Sequence, residues 1–176
     1  RIKERDIMEY KFKTEPYAHQ LKALGASHNK ENFALFMEMG TGKSKVLVDN
    51  IAMLYDKGKI NAALIVAPKG VYRNWERQEI PIHMPDHIVH NVVTWSPVTT
   101  KKQQKENLKL FKHGEQLTIF LMNIEAFSTK KGLDIAQRFL LAHQTLMAID
   151  ESTTIKSPTA RRTKSVLKLR NYAKYR

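Results

Sequence analysis

Glu38-Met39-Gly40-Thr41-Gly42-Lys43-Ser44 is the stretch that decides the fold of this chain. A short apolar run, Phe33–Met37, precedes it. Lys43–Lys57 follows, with Leu47, Ile51, Leu54 and Tyr55 at helical spacing and Gly58 as its stop. A glycine-containing turn between a strand and a helix is the setting a phosphate-binding loop requires. Gly40 and Gly42 permit backbone angles that turn consecutive N–H groups toward one anion. The helix N-terminus adds its partial positive charge. In such a loop Lys43 reaches the β- and γ-phosphates, and the Ser44 hydroxyl ligates Mg²⁺. The strict pattern has glycine where this chain has Met37.

Working outward, strand-length apolar runs alternate with helical patterns. Ala62–Ala67 is a continuous apolar run ended by Pro68, and Val71–Ile80 reads as a helix ended at Pro81. Ile88–Val93, Leu117–Met122 and Thr145–Ile149 read as strands. Gln103–His113 and Leu133–Leu141 read as helices, and Ser157-Pro158 opens a basic helix to about Leu169. Near-continuously apolar strands alternating with helices predict one α/β domain, a parallel sheet covered on both faces.

Leu146-Met147-Ala148-Ile149-Asp150-Glu151 is an apolar strand ending in two carboxylates. Phosphoryl transfer needs a carboxylate near Mg²⁺ and a group that orients the attacking water. Asp150 is the candidate metal holder and Glu151 the candidate general base. Ligands of open parallel sheets sit at the carboxyl ends of the strands. The glycine loop and the acidic pair meet there if their strands are neighbours.

Composition narrows the partners. The 176 residues carry 30 Lys+Arg against 17 Asp+Glu, a net charge of +13. Eight basic and no acidic residues fall between Lys156 and Arg176, and Lys101, Lys102, Lys105, Lys109 and Lys112 form a second cluster. Clustered cations suggest a polyanion, most often nucleic acid; a basic face kept for solubility is the plainer alternative. The absence of cysteine excludes a disulfide scaffold and a Cys-ligated metal. No apolar run reaches the roughly 18 residues a membrane span needs. His83, His87 and His90 invite a zinc reading, but Pro81 and Pro85 interrupt them and a polar loop is the expectation. Trp75 and Trp95 could stack on bases; packing is the expectation for both.

Four segments together resemble a family. Met39–Ser44 and Asp150-Glu151 look like motifs I and II of superfamily 2 helicases, among which Met37 in place of glycine is common. Val66-Ala67-Pro68-Lys69-Gly70-Val71-Tyr72-Arg73-Asn74-Trp75-Glu76-Arg77-Gln78-Glu79 is similar to motif Ia of the Swi/Snf-type DNA translocases. Glu151 is followed by Ser152-Thr153-Thr154-Ile155-Lys156-Ser157, which echoes that family's Asp-Glu-Ala-His-x-Ile-Lys-Asn, with Thr153 for the histidine and Ser157 for the asparagine. Pro16-Tyr17-Ala18-His19-Gln20-Leu21 resembles its adenine-contacting signature.

The resemblance implies a RecA-like P-loop NTPase fold over residues 1–176, the first lobe of a two-lobe motor whose second lobe is absent from this chain. It implies ATP and Mg²⁺ as cofactors, with Gln20, Gly40, Thr41, Gly42, Lys43 and Ser44 on the nucleotide. Ser44 and Asp150 would be on the metal, and Lys43, Asp150 and Glu151 in catalysis. It implies DNA, double-stranded and held by its backbone, against Lys69, Arg73 and Asn123. A bacterial or phage cytoplasm fits, or a nucleus if the source is eukaryotic. Two other classes stay open: a small-molecule P-loop kinase, and a nucleic-acid-binding module without turnover.

Overall fold

The computed structural model describes residues 4–28, 30–35, 37, 40–150 and 161–176. Two helices, α1 (Glu4–Met8) and α2 (Ala18–Ser27), lead to α3 (Lys43–Asp56), directly behind the glycine loop. The rest alternates: β1 (Ala62–Ala67), α4 (Tyr72–Asn74), α5 (Ile80–His83), β2 (His90–Thr94), α6 (Lys101–Lys109), β3 (Leu117–Asn123), α7 (Lys130–Ala142), β4 (Thr145–Ile149) and α8 (Arg161–Leu169). The four strands form one sheet in the order β2-β3-β1-β4, every pair parallel. This is the all-parallel α/β sheet that the alternating pattern predicts, in the RecA-like arrangement that the resemblance implies.

Period-2 alternation assigns the two faces of the sheet. Ala63, Ile65 and Ala67 of β1 and Leu117, Ile119 and Leu121 of β3 pack with Val48, Ile51 and Leu54 of α3, and with Trp75 and Ile80. Ala62, Leu64 and Val66, with Phe120 and Met122, pack with Ala136, Phe139 and Leu140 of α7 and Val166 and Leu169 of α8. All six residues of β1 are buried. Full burial is worth about 1.5–3 kcal/mol for each large aliphatic or aromatic side chain, so the two faces together fix the strand ends on which the site stands.

Two expectations fail locally. The helix after β1 does not stop at Pro81. It runs from α4 through a π-turn, Trp75–Glu79, into α5, with the Ile80 N–H bonded to the Trp75 carbonyl. A proline ring crowds the carbonyl four residues back and brings no N–H. The wider π-turn ahead of it absorbs that clash without ending the helix.

The second failure is the strand before the loop. None of residues 33–35 or 37 lies in a regular strand. The reason lies in their pairing partner. Among the described residues the sheet continues beyond β4 through residues 175–176: Tyr175 bridges Leu146 in parallel, and the Met147 N–H donates to the Tyr175 carbonyl at 2.8 Å. On the far side the Arg176 N–H donates to Glu31, and the Phe33 N–H donates to the Arg176 carbonyl. Residues 31–33 therefore lie two positions from β4, with residues 175–176 between. The loop's leading segment and the acidic strand are not neighbours. Two bonds to Arg176 align residues 31–33 without building a ladder.

Candidate functional site at the carboxyl edge of the sheet

Parallel register brings every strand's carboxyl end to one edge. Ala67 pairs with Asn123, and the Asp150 N–H donates to the Val66 carbonyl at 2.7 Å. Asp150, Pro68-Lys69 and Asn123 thus stand side by side on β4, β1 and β3.

The loop closes onto α3 through glycine. Gly40 and Gly42 have φ of +80° and +78°, the left-handed region that costs other residues roughly 1–2 kcal/mol. At Gly42 space is short as well: a Cβ there would crowd Gln20 Nε2, which would have to shift. Gly42 is the N-cap of α3 and supplies no side-chain cap, so the first-turn N–H groups of this 14-residue helix keep the anion-binding capacity of a helix start. The Lys43 ammonium donates to the Met37 carbonyl at 3.1 Å. It therefore folds back across the loop, onto the residue that stands where the strict pattern has glycine.

Gln20 holds the loop from α2. Its side-chain oxygen accepts the Tyr17 N–H at 2.9 Å, and its Nε2 donates to the carbonyls of Thr41 at 3.2 Å and Gly42 at 3.5 Å. His19 Nε2 bonds the same Thr41 carbonyl at 2.9 Å. Gln20 is 4% exposed, and both ends of its amide serve the protein's own backbone. An adenine edge would have to exchange for these bonds. A cavity of about 290 Å³ opens beside it, lined by Thr14, Glu15, Tyr17, Gln20, Gly42, Lys45 and His83.

Lys45 is a cation the sequence left unassigned. It is buried, paired with Asp49 at 2.7 Å, and donates to the Thr14 carbonyl at 2.8 Å. Burial pushes the Asp49 carboxyl up to about 6, while Lys45 pulls it back. The i,i+4 spacing of Lys45 and Asp49 was the available signal. His28 was also missed. It is buried, with Nδ1 bonded to Asn50 Oδ1 at 3.0 Å and Nε2 to the Lys57 ammonium at 3.1 Å.

At the end of β4, Asp150 Oδ2 accepts a hydrogen bond from the Trp75 indole at 3.1 Å. Trp75 is 1% exposed, so the packing expectation holds, and its N–H serves the site as well. Glu79, four residues on, has its carboxyl pushed up first by burial and then by the charge of Asp150. Glu151 and the segment from Ser152 to Ser157 lie outside the described residues. Ser44 is the second residue of α3, in its first turn. Its hydroxyl and the Asp150 carboxylate are the hard oxygen donors that Mg²⁺ takes, so the donor set fits that metal.

On the other half of the edge, Lys69 and Arg73 are exposed. Arg73 Nε donates to the Tyr72 hydroxyl at 3.3 Å. The Asn123 amide donates to Glu125 Oε2 at 2.8 Å. His83, His87 and His90 go to separate partners: Thr14, Asp56 and the Ile88 carbonyl. His83 is the last residue of α5 and His90 the first of β2, so the polar-loop expectation holds only at His87. Among the described residues no helix is long and apolar enough to cross a membrane.

Comparison with known proteins points the same way. No curated protein sequence matches the chain. Among solved structures it is similar to the Sulfolobus solfataricus SWI2/SNF2 ATPase core in complex with dsDNA, with a TM-score of 0.66 and 19% identity. That likeness, one of fold, covers 95% of this chain and 32% of the other, so the chain spans about a third of that protein's length. The model of the SNF2-related domain matches residues 19–175, from the helix that carries Gln20 to the bridge at Tyr175. With the loop, the acidic strand end and the parallel sheet all inside that match, the chain belongs to the SNF2-related domain family.

Proposed function

We propose that this chain is the ATP-binding lobe of a DNA-dependent ATPase that couples hydrolysis to movement along, or remodelling of, DNA. The observation that carries this reading is a pairing of two features. α3, opened by the glycine loop, packs on one parallel sheet whose strand β4 runs into the Asp150 carboxylate, in a member of the SNF2-related domain family.

Each residue then has a task. The N–H groups that open α3 cradle the β-phosphate. The Lys43 ammonium leaves the Met37 carbonyl for the β- and γ-oxygens. Ser44 and Asp150 hold Mg²⁺, which when bound neutralises charge on the transferred phosphoryl group. Glu151 takes the proton of the attacking water. Gln20 fixes the loop and borders the base cavity. Lys69, Arg73 and Asn123 face the DNA backbone, where contacts position the duplex without reading sequence.

A second RecA-like lobe closes the site in this reading and supplies arginine to the transition state. Such fingers are worth about 10³–10⁵ in rate, so the 176 residues alone bind Mg²⁺-nucleotide weakly and turn it over very slowly. The test is an ATPase assay of the full-length polypeptide with and without duplex DNA, beside Lys43→Ala. DNA-stimulated hydrolysis that Lys43→Ala abolishes supports the reading. Robust DNA-stimulated turnover by the isolated 176 residues sinks the two-lobe part of it, and absence of hydrolysis in the full-length protein sinks the rest.

A further inference from the structure

The Trp75–Asp150 hydrogen bond joins two segments 75 residues apart, and no reading of either segment alone calls for it. Trp75 needs no such partner for burial; its ring already packs with Ile65, Ile80 and Ile119 in the core. A buried indole N–H nevertheless requires an acceptor, and the one it has is the carboxylate at the end of β4. The helix that presents it is unusual at that very point. Trp75 opens the π-turn, its carbonyl taking the Ile80 N–H five residues on. Single π-turns inside helices recur at functional sites. The same turn brings a second carboxylate, Glu79, held by Asn74 Nδ2 at 3.3 Å. Immediately before Trp75 stand Arg73 and Asn74, and Lys69 stands at the end of β1.

We propose that Trp75 is a positioning residue for Asp150, its indole N–H fixing one carboxylate oxygen so that the other faces the metal, and that it links the Lys69–Asn74 segment to the nucleotide site. The proposal rests on the ATPase reading above. A carboxylate that holds a metal through one oxygen needs its rotation about the Cβ–Cγ bond stopped, and a charge-assisted hydrogen bond to the second oxygen does this. Because the donor sits on the helix that follows Lys69 and Arg73, a small shift of that helix on an engaged DNA backbone moves the donor and reorients Asp150. Trp75 touches neither nucleotide nor DNA; it acts through Asp150.

The chain has two tryptophans, so a ¹⁵N–¹H spectrum of the 176-residue chain contains two indole signals, and Trp95→Phe assigns them. In the wild type the Trp75 signal lies downfield. In Asp150→Asn it moves upfield while the Trp95 signal stays. On titration with Mg²⁺-ADP, and separately with duplex DNA, the Trp75 signal shifts again. Trp75→Phe, which keeps an aromatic ring and removes the donor, raises the Mg²⁺ concentration for half-maximal ADP binding about 10-fold or more, the loss expected for one hydrogen bond to a charged group. Its affinity for metal-free ADP stays within about twofold, a split that loss of packing alone does not produce. An indole signal unmoved by Asp150→Asn, or an unchanged Mg²⁺ dependence in folded Trp75→Phe, overturns the proposal. If Trp75→Phe does not fold, the wild-type and Asp150→Asn spectra decide it. Failure of the wild type to bind Mg²⁺-ADP refutes the ATPase reading instead, and Lys43→Ala supplies the reference for abolished binding.

Discussion

The two halves of the sheet's carboxyl edge are built differently. On the β4 side, functional groups are tied down: Lys43 to a backbone carbonyl, Gln20 to three backbone groups, Asp150 to an indole. On the β1 side, Lys69 and Arg73 stand in solvent. The difference follows from the chemistry proposed for each. Phosphoryl transfer depends on groups held in place before the substrate arrives. Contacts to a phosphate backbone need cations that follow a polymer in several registers, and flexible exposed side chains do that. Rigidity on one half and mobility on the other is what a motor lobe requires.

Removing the cation of the glycine loop gives the largest effect. Lys43→Ala lowers affinity for Mg²⁺-nucleotide about 100-fold or more, since it deletes the charge aimed at the phosphates. The melting temperature changes little, because among the described residues the side-chain hydrogen bond it removes is the one to the Met37 carbonyl. Isothermal titration beside thermal unfolding checks both. A large stability loss with intact binding breaks the comparison.

Gly42→Ala comes next. The left-handed φ and the closeness of Gln20 Nε2 act together, and backbone strain of this kind costs about 1–3 kcal/mol. Gln20→Ala in the same chain relieves the steric part and leaves the strain, so the pair is less than additive in thermal unfolding. Full additivity would mean that Gln20 does not press on the loop.

Much of this half was legible in the sequence, and the limits are physical. The loop, α3, β1 and the acidic strand end are encoded locally: glycines at the turn, apolar period, a proline after β1. The run before the loop misled because a strand is a property of pairing, and its neighbour is the two residues at 175–176. Pro81 misled because helix breaking depends on the turn before it, and a π-turn removes the clash. The resemblance implies an adenine edge for Gln20; its bonds to Tyr17, Thr41 and Gly42 join segments that no local pattern connects. The Trp75–Asp150 contact, across 75 residues, leaves no trace in either segment. Proximity of that kind is decided by the register of β1 and β4.

His28 tests whether the constrained half extends to the join of α2 and α3. Burial lowers its pKa, with a smaller push from the Lys57 charge, against the raising effect of Asn50. A histidine depressed in the folded state adds stability that is present above its unfolded value, near 6.5, and is lost as pH falls through its folded value. His28 therefore contributes a loss of stability as pH drops below about 6.5, by roughly 1 kcal/mol or more for each unit its pKa is depressed, while the raised Asp49 carboxyl acts in the opposite direction. His28→Gln reduces this slope in urea unfolding at pH 5 and pH 8. An unchanged slope places the titrating group elsewhere.

The smallest effects belong to the exposed half. Lys69→Ala and Arg73→Ala change stability by no more than about 0.5 kcal/mol, as surface substitutions do. Each weakens duplex binding by a similar factor on any sequence. Each also reduces the slope of log affinity against log salt by about one, as removal of a single cation from the phosphate backbone does. Anisotropy titrations across a salt series on two unrelated duplexes measure both. Arg73 is the sharper probe of the two, since its Nε already leans on the Tyr72 hydroxyl and its guanidinium lies 5.8 Å from that ring. An Arg73→Lys variant keeps the charge and loses the planar fork. If the interaction with DNA is purely electrostatic, Arg73→Lys binds like the wild type. If it loses as much as Arg73→Ala, Arg73 is positioned as firmly as the nucleotide residues, and the division between a rigid and a mobile half would have to be redrawn between Lys69 and Arg73.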